Sequence, residues 1–166
     1  QMSFPCELSL RSTPRGARLL RVPVVEIKSI RISSDPVENY TLEAGRALDI
    51  GRPGHLFDVE MKLAVLPDSS FSMRLCDQII TWSEGQIVCL GRRASLPASD
   101  GHIDLRVLVD RTSMELFGNR GEVCMSSCFL PSGNTSRVQL RAEKRSLHIR
   151  TMAVYGLSPA YEQVSN

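Results

Sequence analysis

The sequence predicts an all-β fold in which many short antiparallel strands form a sandwich or a barrel. Apolar and polar residues alternate with a period of two in several segments, and turn-forming residues recur at short intervals. In addition, no segment has the apolar spacing of an amphipathic helix of three turns. The 166 residues suffice for one domain with a sizeable core, since single domains commonly contain ~100–200 residues. We therefore expect a single domain over residues 1–166.

The clearest strand signal is the alternation of apolar and charged residues over positions 55–63. Phe57, Val59 and Met61 fall on one face and the charged residues between them on the other, as an antiparallel strand with one buried face requires. The same alternation predicts further strands at 71–76, 103–109, 138–140, 147–149 and 152–155.

Turn signals rich in proline, glycine, asparagine and aspartate separate these segments. The stretch from Val24 to Ile32 comes nearest to a helical pattern, and we predict at most one helical turn there. Turns are predicted at 13–16, 34–36, 52–54, 67–69, 83–85, 97–101, 118–121 and 131–134.

The charge balance argues against nucleic acid or an anionic membrane as the principal partner. The sequence contains twenty Lys and Arg and eighteen Asp and Glu, which gives a net charge of +2, and it has no block of five like charges. The longest apolar stretches, such as residues 63–66, are far shorter than the ~20 residues that cross a bilayer. Residues 1–7 do not have the basic start and apolar centre of a secretory signal. We expect neither a nucleic-acid nor a membrane partner.

The five cysteines are an odd number and include no zinc-like C-x-x-C spacing. Cys124 and Cys128 are four residues apart on one predicted strand, so at about 3.3 Å per residue they lie roughly 13 Å apart, too far for a disulfide. We expect most of the cysteines to be buried thiols. The one local pairing to test joins Cys76 and Cys89, which lie on adjacent predicted strands.

No constellation in the sequence predicts a metal, a cofactor or a nucleophile. The three histidines, His55, His102 and His148, have no spacing that would gather metal ligands. Ser113 has no histidine near it in sequence, and the chain contains no glycine-rich phosphate cradle. Asp35, in Ser-Asp-Pro, is interpreted as a turn residue. We predict no cofactor, no metal site and no catalytic residue in this chain.

Five residues are candidates for sugar binding, because sugar sites combine an aromatic platform with side chains that bind hydroxyl groups. Trp82, near a predicted turn, is the best platform, although a core position is the alternative. Arg74 could complement it. Asp110 and Glu115 could accept hydrogen bonds from sugar hydroxyls, or could instead cap a turn and project from a strand face. Asn119 is open to the same two interpretations at the 118–121 turn.

The run Leu105–Pro131 carries the strongest resemblance to a known family. Its two alternating segments around Asp-Arg-Thr-Ser, followed by Gly-Asn-Arg-Gly and a third strand, resemble a signature near the end of glycoside hydrolase family 32 enzymes, the invertases, levanases and inulinases. The segments 4–11, 16–19, 23–27, 90–97 and 152–158 are also similar to that family and occur in its order. One departure is Cys6, where the family usually has a basic residue.

The resemblance implies a two-sheet antiparallel β-sandwich, jelly-roll or concanavalin-like, that follows a catalytic β-propeller in the family's enzymes. The family's catalytic motifs, Asn-Asp-Pro-Asn, Arg-Asp-Pro and Glu-Cys, do not occur in this sequence. Retaining glycosidases need two carboxyl groups about 5 Å apart, which the propeller supplies in this family.

Two functions follow from the resemblance and stay open at this point. The first is a non-catalytic accessory module that packs on the propeller of the same polypeptide, whose enzyme would cleave β-fructofuranosyl linkages. The second is a carbohydrate-binding module for the ends of fructans such as levan or inulin. The resemblance favours an extracellular or periplasmic location, whereas cysteines that do not form disulfides fit a reducing compartment better.

Overall fold

Two six-stranded sheets, antiparallel throughout, face each other in the computed structural model, which describes residues 3–13, 16–131 and 136–159. Sheet I has the strand order β12-β11-β10-β5-β14-β3, and sheet II has the order β4-β13-β6-β7-β8-β9. A third sheet contains only β1 and β2. The prediction of an all-β sandwich is therefore confirmed. The strands are β1 (Cys6–Thr13), β2 (Gly16–Pro23), β3 (Arg31–Leu42), β4 (Ala47–Gly54), β5 (Phe57–Ala64), β6 (Ser70–Leu75), β7 (Gln78–Ser83), β8 (Gln86–Cys89), β9 (Arg92–Ser95), β10 (His102–Asp110), β11 (Ser113–Gly118), β12 (Val123–Cys128), β13 (Ser136–Ala142) and β14 (Leu147–Leu157).

The main core lies between sheets I and II and follows the period-two pattern of the sequence. In β5, Val59, Met61 and Leu63 are buried against the opposite sheet, and their cross-strand partners in β10 are apolar as well. Sheet II contributes Phe71 and Trp82, whose rings stack with centroids 5.8 Å apart. Both sheets thus turn one apolar face inward, as two packed antiparallel sheets require.

The outer face of sheet I is covered by a third layer that we call the N-terminal layer, residues 3–30, with residues 14 and 15 outside the described part. It consists of the β1–β2 hairpin and a short 3-10 helix, η1 (Val25–Ile30). This helix lies in the stretch Val24 to Ile32 that came nearest to a helical pattern, but its six residues make about two turns of 3-10 helix where the sequence predicted at most one. Ile27 forms a second apolar cluster with Leu108 and Phe117 on the outer face of sheet I. All six residues of β11 are consequently buried.

Two predicted turns are wrong, because their residues lie inside strands. Positions 34–36 belong to β3 and positions 52–54 belong to β4. Both strands lie at sheet edges, where a proline costs no internal hydrogen bond of the ladder. The proline and glycine that favour a turn in sequence are therefore accommodated in extended backbone. The side chain of Asp35, and residues 132–134 of the last predicted turn, lie outside the described part.

The last two predicted strands, 147–149 and 152–155, form the single strand β14 (Leu147–Leu157). The pairing of β14 with β5 is irregular between Ile149 and Thr151, which shifts the alternation by one residue and explains why the sequence pattern breaks there. In sheet I this strand lies between β5 and β3. Within the described residues, no helix has the length and apolar character needed to cross a membrane.

Candidate interaction site

The five residues that the sequence proposed for sugar binding do not come together. Arg74 and Trp82 belong to sheet II and point to opposite faces of it, because Trp82 pairs with the core residue Phe71 whereas Arg74 pairs with Ile79, which is 51% exposed. Trp82 is only 4% exposed, and its Nε1 donates a hydrogen bond to the carbonyl oxygen of Leu96 at 2.9 Å. The ring of Trp82 is therefore enclosed in the core, which is the alternative that the sequence left open.

Asp110 and Asn119 make contacts that are typical of turn residues. The Oδ1 atom of Asp110 accepts a hydrogen bond from the backbone N–H of Arg111 at 2.7 Å. The side chain of Asn119 donates from Nδ2 to the carbonyl oxygen of Pro97 at 2.8 Å, and its backbone has a positive φ of 47°. Asp110 is exposed and Asn119 is partly buried, but they lie at opposite ends of the β10–β11 hairpin, because Asp110 pairs with Ser113 at its turn and Asn119 follows Gly118 at its other end.

Glu115 lies on the outer face of sheet I, opposite the core-facing Met114 and Leu116, but it is 2% exposed. Its Oε1 atom accepts a hydrogen bond from the backbone N–H of Phe4 at 2.6 Å. Its Oε2 atom accepts hydrogen bonds from Arg21 at 3.0 Å and from the hydroxyl of Ser126 at 3.3 Å.

Phe4 and Arg21 are the members of the N-terminal layer that bind this carboxylate. Glu115 thus projects from a strand face, as one of its two interpretations had it, and its oxygens bind residues of the chain itself. Its carboxylate holds the N-terminal layer on sheet I.

A second buried carboxylate, Asp58, lies at the centre of an ion-pair network that the sequence analysis missed. We call the four residues Arg31, Asp58, Glu60 and Arg106 the ionic cluster. Asp58 is fully buried and accepts hydrogen bonds from Arg31 at 2.8 and 2.5 Å and from Arg106 at 2.9 Å to each carboxylate oxygen. Arg31 also binds Glu60 at 2.6 Å, and its guanidinium carbon lies 3.7 Å from the centroid of the Tyr155 ring.

Arg31 remains charged in this environment for electrostatic reasons. Burial works against the charged guanidinium, but hydrogen bonds to Asp58 and Glu60 and the negative charges of both residues raise the pKa of Arg31. The sequence pattern did place Asp58 and Glu60 on the face opposite the core. It carried no signal that an arginine 27 positions earlier would cover Asp58.

Close packing brings strand β2 directly onto a second 3-10 helix, η2 (Asn119–Gly121). Gly121 has φ +90°, and a Cβ atom at this position would lie 2.3 Å from the carbonyl oxygen of Arg21. The thiol of Cys124 donates to the same carbonyl at 3.5 Å, and the guanidinium of Arg21 lies 5.9 Å from the centroid of Phe117. Only glycine therefore allows β2 to approach η2 this closely.

A cavity of about 380 Å³ lies beside this contact, between β2 and the outer face of sheet I. Its apolar lining includes Val22, Pro23 and Phe117. Its charged lining is mixed, with the basic residues Lys62, Arg106 and Arg120 and the acidic residues Glu60 and Asp104. The described residues contain no group of three or more His, Cys, Asp or Glu placed to hold a metal ion. Asp58 and Glu60, the two carboxylates bound to Arg31, are both engaged in ion pairs.

The sulfur atoms of Cys76 and Cys89 contact different partners. Cys76 Sγ donates to the carbonyl oxygen of His55 at 3.8 Å, whereas the buried Cys89 Sγ lies 3.6 Å from the sulfur of Met114. The Cys76–Cys89 pairing is therefore not formed.

Two packed antiparallel sheets with an N-terminal hairpin on one of them define a β-sandwich module. The model described as "Glycosyl hydrolases family 32 C terminal" matches residues 55–156, which is more than half of the chain. The chain therefore belongs to the family of glycoside hydrolase family 32 C-terminal domains, as the resemblance in its sequence indicated.

Two levanases are among the curated relatives. The chain is 24% identical to the levanase of Bacillus subtilis (strain 168) over 96% of this chain and 27% of that enzyme. It is also 24% identical to the levanase of Bacillus sp. (strain L7), over 98% of this chain and 20% of that enzyme. The chain thus spans about a quarter of the length of the first relative and a fifth of the second.

Solved structures share the fold at low sequence identity. The exo-inulinase from Aspergillus awamori superposes with a TM-score of 0.77 at 20% identity, over 96% of this chain and 36% of that chain. The β-fructofuranosidase from Schwanniomyces occidentalis gives a TM-score of 0.74 at 15% identity, over 95% of this chain and 40% of that chain.

We expect Asp58→Asn to lower the free energy of unfolding by about 3–5 kcal/mol, because two nearly buried guanidinium groups lose the charge of their shared partner. The matched control is Asp104→Asn, which removes an ion pair of 3.8 Å with Arg120, 71% exposed, and should cost less than about 1 kcal/mol. Urea unfolding of both variants measures the difference. Equal losses would contradict the role given to Asp58.

We also expect Gly121→Ala to displace β2 from sheet I, because the new Cβ atom would overlap the backbone of Arg21. Gly101→Ala is the control: Gly101 also has a positive φ, +73°, but nothing lies within 4 Å of its Cβ position. Limited proteolysis should cut the β1–β2 hairpin at least about tenfold faster in the first variant only, since cleavage follows the open population. Equal cleavage rates in the two variants would show that the close approach is not essential.

Proposed function

We propose that this chain is the non-catalytic accessory module of a levanase- or invertase-type glycoside hydrolase and packs on the catalytic domain of the same polypeptide. The enzyme as a whole would hydrolyse β-fructofuranosyl linkages in fructans or sucrose. The observation that carries the proposal is the β1–β2 hairpin, which exposes apolar side chains that sheet I does not cover.

Three leucines form the exposed apolar surface of the hairpin. Leu10 pairs with Leu19 across the two strands, and Leu8 lies on the same face of β1 as Leu10. Their exposed fractions are 65% for Leu8, 75% for Leu10 and 62% for Leu19. Apolar side chains clustered on a rigid element are typical of a contact surface for another protein or domain.

No further strand among the described residues extends the hairpin on either side. Within the described residues β1 and β2 pair only with each other, and a two-stranded hairpin is at best marginally stable by itself. The inner end of the hairpin is held on sheet I by Arg21 and Glu115, whereas the leucines lie farther along it. A domain that precedes this module in a longer polypeptide would meet the hairpin first, and the levanases it resembles are about four times as long as the matched segment.

The alternative, a carbohydrate-binding module for fructan ends, keeps less support. Its aromatic platform, Trp82, is enclosed in the core, and Glu115 is occupied by the N-terminal layer. Arg74 and Asp110 remain exposed, but they belong to different sheets.

The accessory function predicts that Leu8→Ser combined with Leu10→Ser and Leu19→Ser weakens the contact between the domains. In the polypeptide that joins this chain to its catalytic domain, the triple variant should lose fructosidase activity at a lower temperature than the parent. Ile79→Ser, a substitution of an exposed residue on the outer face of sheet II, is the control and should leave the inactivation temperature unchanged.

The same triple substitution in the isolated chain shows whether any loss of heat resistance comes from a weaker domain contact or from a less stable module. Its urea midpoint should stay close to that of the parent, because the three leucines are exposed in this chain. Unchanged heat inactivation of the joined polypeptide would refute the accessory function proposed for the hairpin.

A titration distinguishes the two functions. Fructose, inulin oligomers and levan are added to the isolated chain, and backbone NMR shifts are followed up to millimolar ligand. The accessory function predicts no saturable shifts and no fructose released from sucrose, inulin or levan. Saturable binding that Arg74→Ala or Asp110→Ala abolishes would favour the carbohydrate-binding module instead.

A further inference from the structure

The cavity of about 380 Å³ beside β2, which we call the β2 cavity, is bordered on one side by the ionic cluster. Glu60 and Arg106 line the cavity, and the remaining two members of the cluster lie behind them. Arg31 binds Glu60 at 2.6 Å, and both arginines bind Asp58. Two guanidinium groups thus face two carboxylates, so the ionic cluster contributes no net charge to the cavity.

The other charged residues that line the β2 cavity are Lys62, Asp104 and Arg120. Lys62 is the direct cross-strand partner of Asp104 in the β5–β10 pairing, and the Nε atom of Arg120 lies 3.8 Å from Oδ2 of Asp104. Two cations therefore adjoin one carboxylate. Among the lining residues and the residues that they bind, one positive charge is left without a counter-charge.

Lys62 is the cation without a bound partner. Its side chain points to the outer face of sheet I, because its neighbours Met61 and Leu63 face the main core. It is partly buried, yet within the described residues it takes part in no hydrogen bond or ion pair, although Asp104 is adjacent. A partly buried charge gains from a bound partner, because desolvation without compensation costs free energy. The ammonium of Lys62 is thus suited to bind a carboxylate from outside the chain.

Apolar side chains lie around these charges. Val22, Pro23 and Phe117 line the β2 cavity, and Phe117 is only 3% exposed. An ion pair beside apolar walls is screened less by water and salt than a pair on an open surface. The volume of about 380 Å³ also falls within the roughly 300–1,000 Å³ of typical binding cavities, so it can hold an acidic side chain with part of its backbone.

The β2 cavity is next to the exposed leucines of the hairpin. Val22 and Pro23 belong to β2, the strand that also carries Leu19, which is 62% exposed. Leu19 and Val22 are three residues apart, so at about 3.3 Å per residue they are separated by about 10 Å. A domain that covers the leucines therefore comes close enough to place a side chain in the cavity.

We propose that the β2 cavity receives an acidic side chain of the catalytic domain, whose carboxylate pairs with Lys62 and Arg120. This inference rests on the accessory function proposed above and names the chemistry of the domain contact. The leucines supply apolar contact area, whereas the carboxylate determines the register in which the two domains meet. The same carboxylate neutralises the ammonium of Lys62.

Carbodiimide cross-linking tests the contact in the polypeptide that joins this chain to its catalytic domain. The reagent activates a carboxylate, and a lysine amine in contact with it forms an amide while the reagent leaves as its urea. The chain contains three lysines, Lys28, Lys62 and Lys144. Peptide mapping should find Lys62 joined to an Asp or Glu of the catalytic domain. The yield should fall at about 1 M salt, where the Debye length is about 3 Å.

The other outcomes of the cross-linking contradict the proposal. Lys144, which is exposed between β13 and β14, is the control and should form no link to the catalytic domain. A link from Lys62 only to carboxylates of this chain, such as Asp104, or to a second copy of it would overturn the proposal, and so would the absence of any link. The map uses the parent sequence, so it does not depend on whether a variant folds.

Substitutions show whether the charge of Lys62 matters for the domain contact. Lys62→Gln should make the joined polypeptide lose fructosidase activity about tenfold faster at a fixed elevated temperature, and added salt should narrow the difference from the parent. Lys62→Arg keeps the charge and should behave like the parent, as should Lys144→Gln. The urea midpoint of the isolated chain should not change in Lys62→Gln, because Lys62 has no ion pair within the described residues.

The leucine variant distinguishes a failure of this inference from a failure of the accessory function. The triple substitution of Leu8, Leu10 and Leu19 by serine removes the apolar contact and leaves the β2 cavity intact. If it speeds inactivation while Lys62→Gln does not, the domain contact exists without the β2 cavity and the inference is overturned. If neither variant changes inactivation, the accessory function fails as well.

Discussion

Two buried carboxylates on the outer face of sheet I determine how the first thirty residues are arranged. Asp58 and Glu115 are almost inaccessible to solvent, and a buried carboxylate is costly unless cations and hydrogen-bond donors surround it. Two arginines supply those cations. Arg21, in strand β2 of the N-terminal layer, binds Glu115, and Arg31, the residue immediately after the layer, binds Asp58. Without this segment, a sheet with one apolar inner face would expose two carboxylates set among Leu108 and Phe117. Electrostatics and apolar packing therefore favour the same position for the layer.

The two outer faces of the sandwich differ in what covers them. The outer face of sheet I is occupied by the chain itself, and the part of the hairpin that extends beyond it is apolar. The outer face of sheet II is open and carries Arg74 and Ile79. The exposed leucines of the hairpin are the part of this surface on which the proposed domain contact depends.

Sequence periodicity predicted the elements that have one apolar face, because alternation is a local property. It located β5, β10 and, as two separate segments, β14, and it included the strand-face interpretation of Glu115. It failed for β3 and β4, where proline and glycine resemble a turn but occupy an edge strand.

Pairings that depend on distant parts of the chain could not be predicted in this way. Nothing near Asp58 in sequence indicates that Arg31 and Arg106 bind it, and nothing near Trp82 indicates that the carbonyl oxygen of Leu96 accepts a hydrogen bond from its indole N–H.

The position of strand β14 has a consequence for synthesis on the ribosome. It is the last strand of the described residues, yet it lies inside sheet I between β5 and β3. The emerging chain cannot complete this sheet until residue 157 has left the exit tunnel, so the edges of β3 and β5 that β14 covers stay unpaired, and therefore prone to aggregation, until this segment has been synthesised.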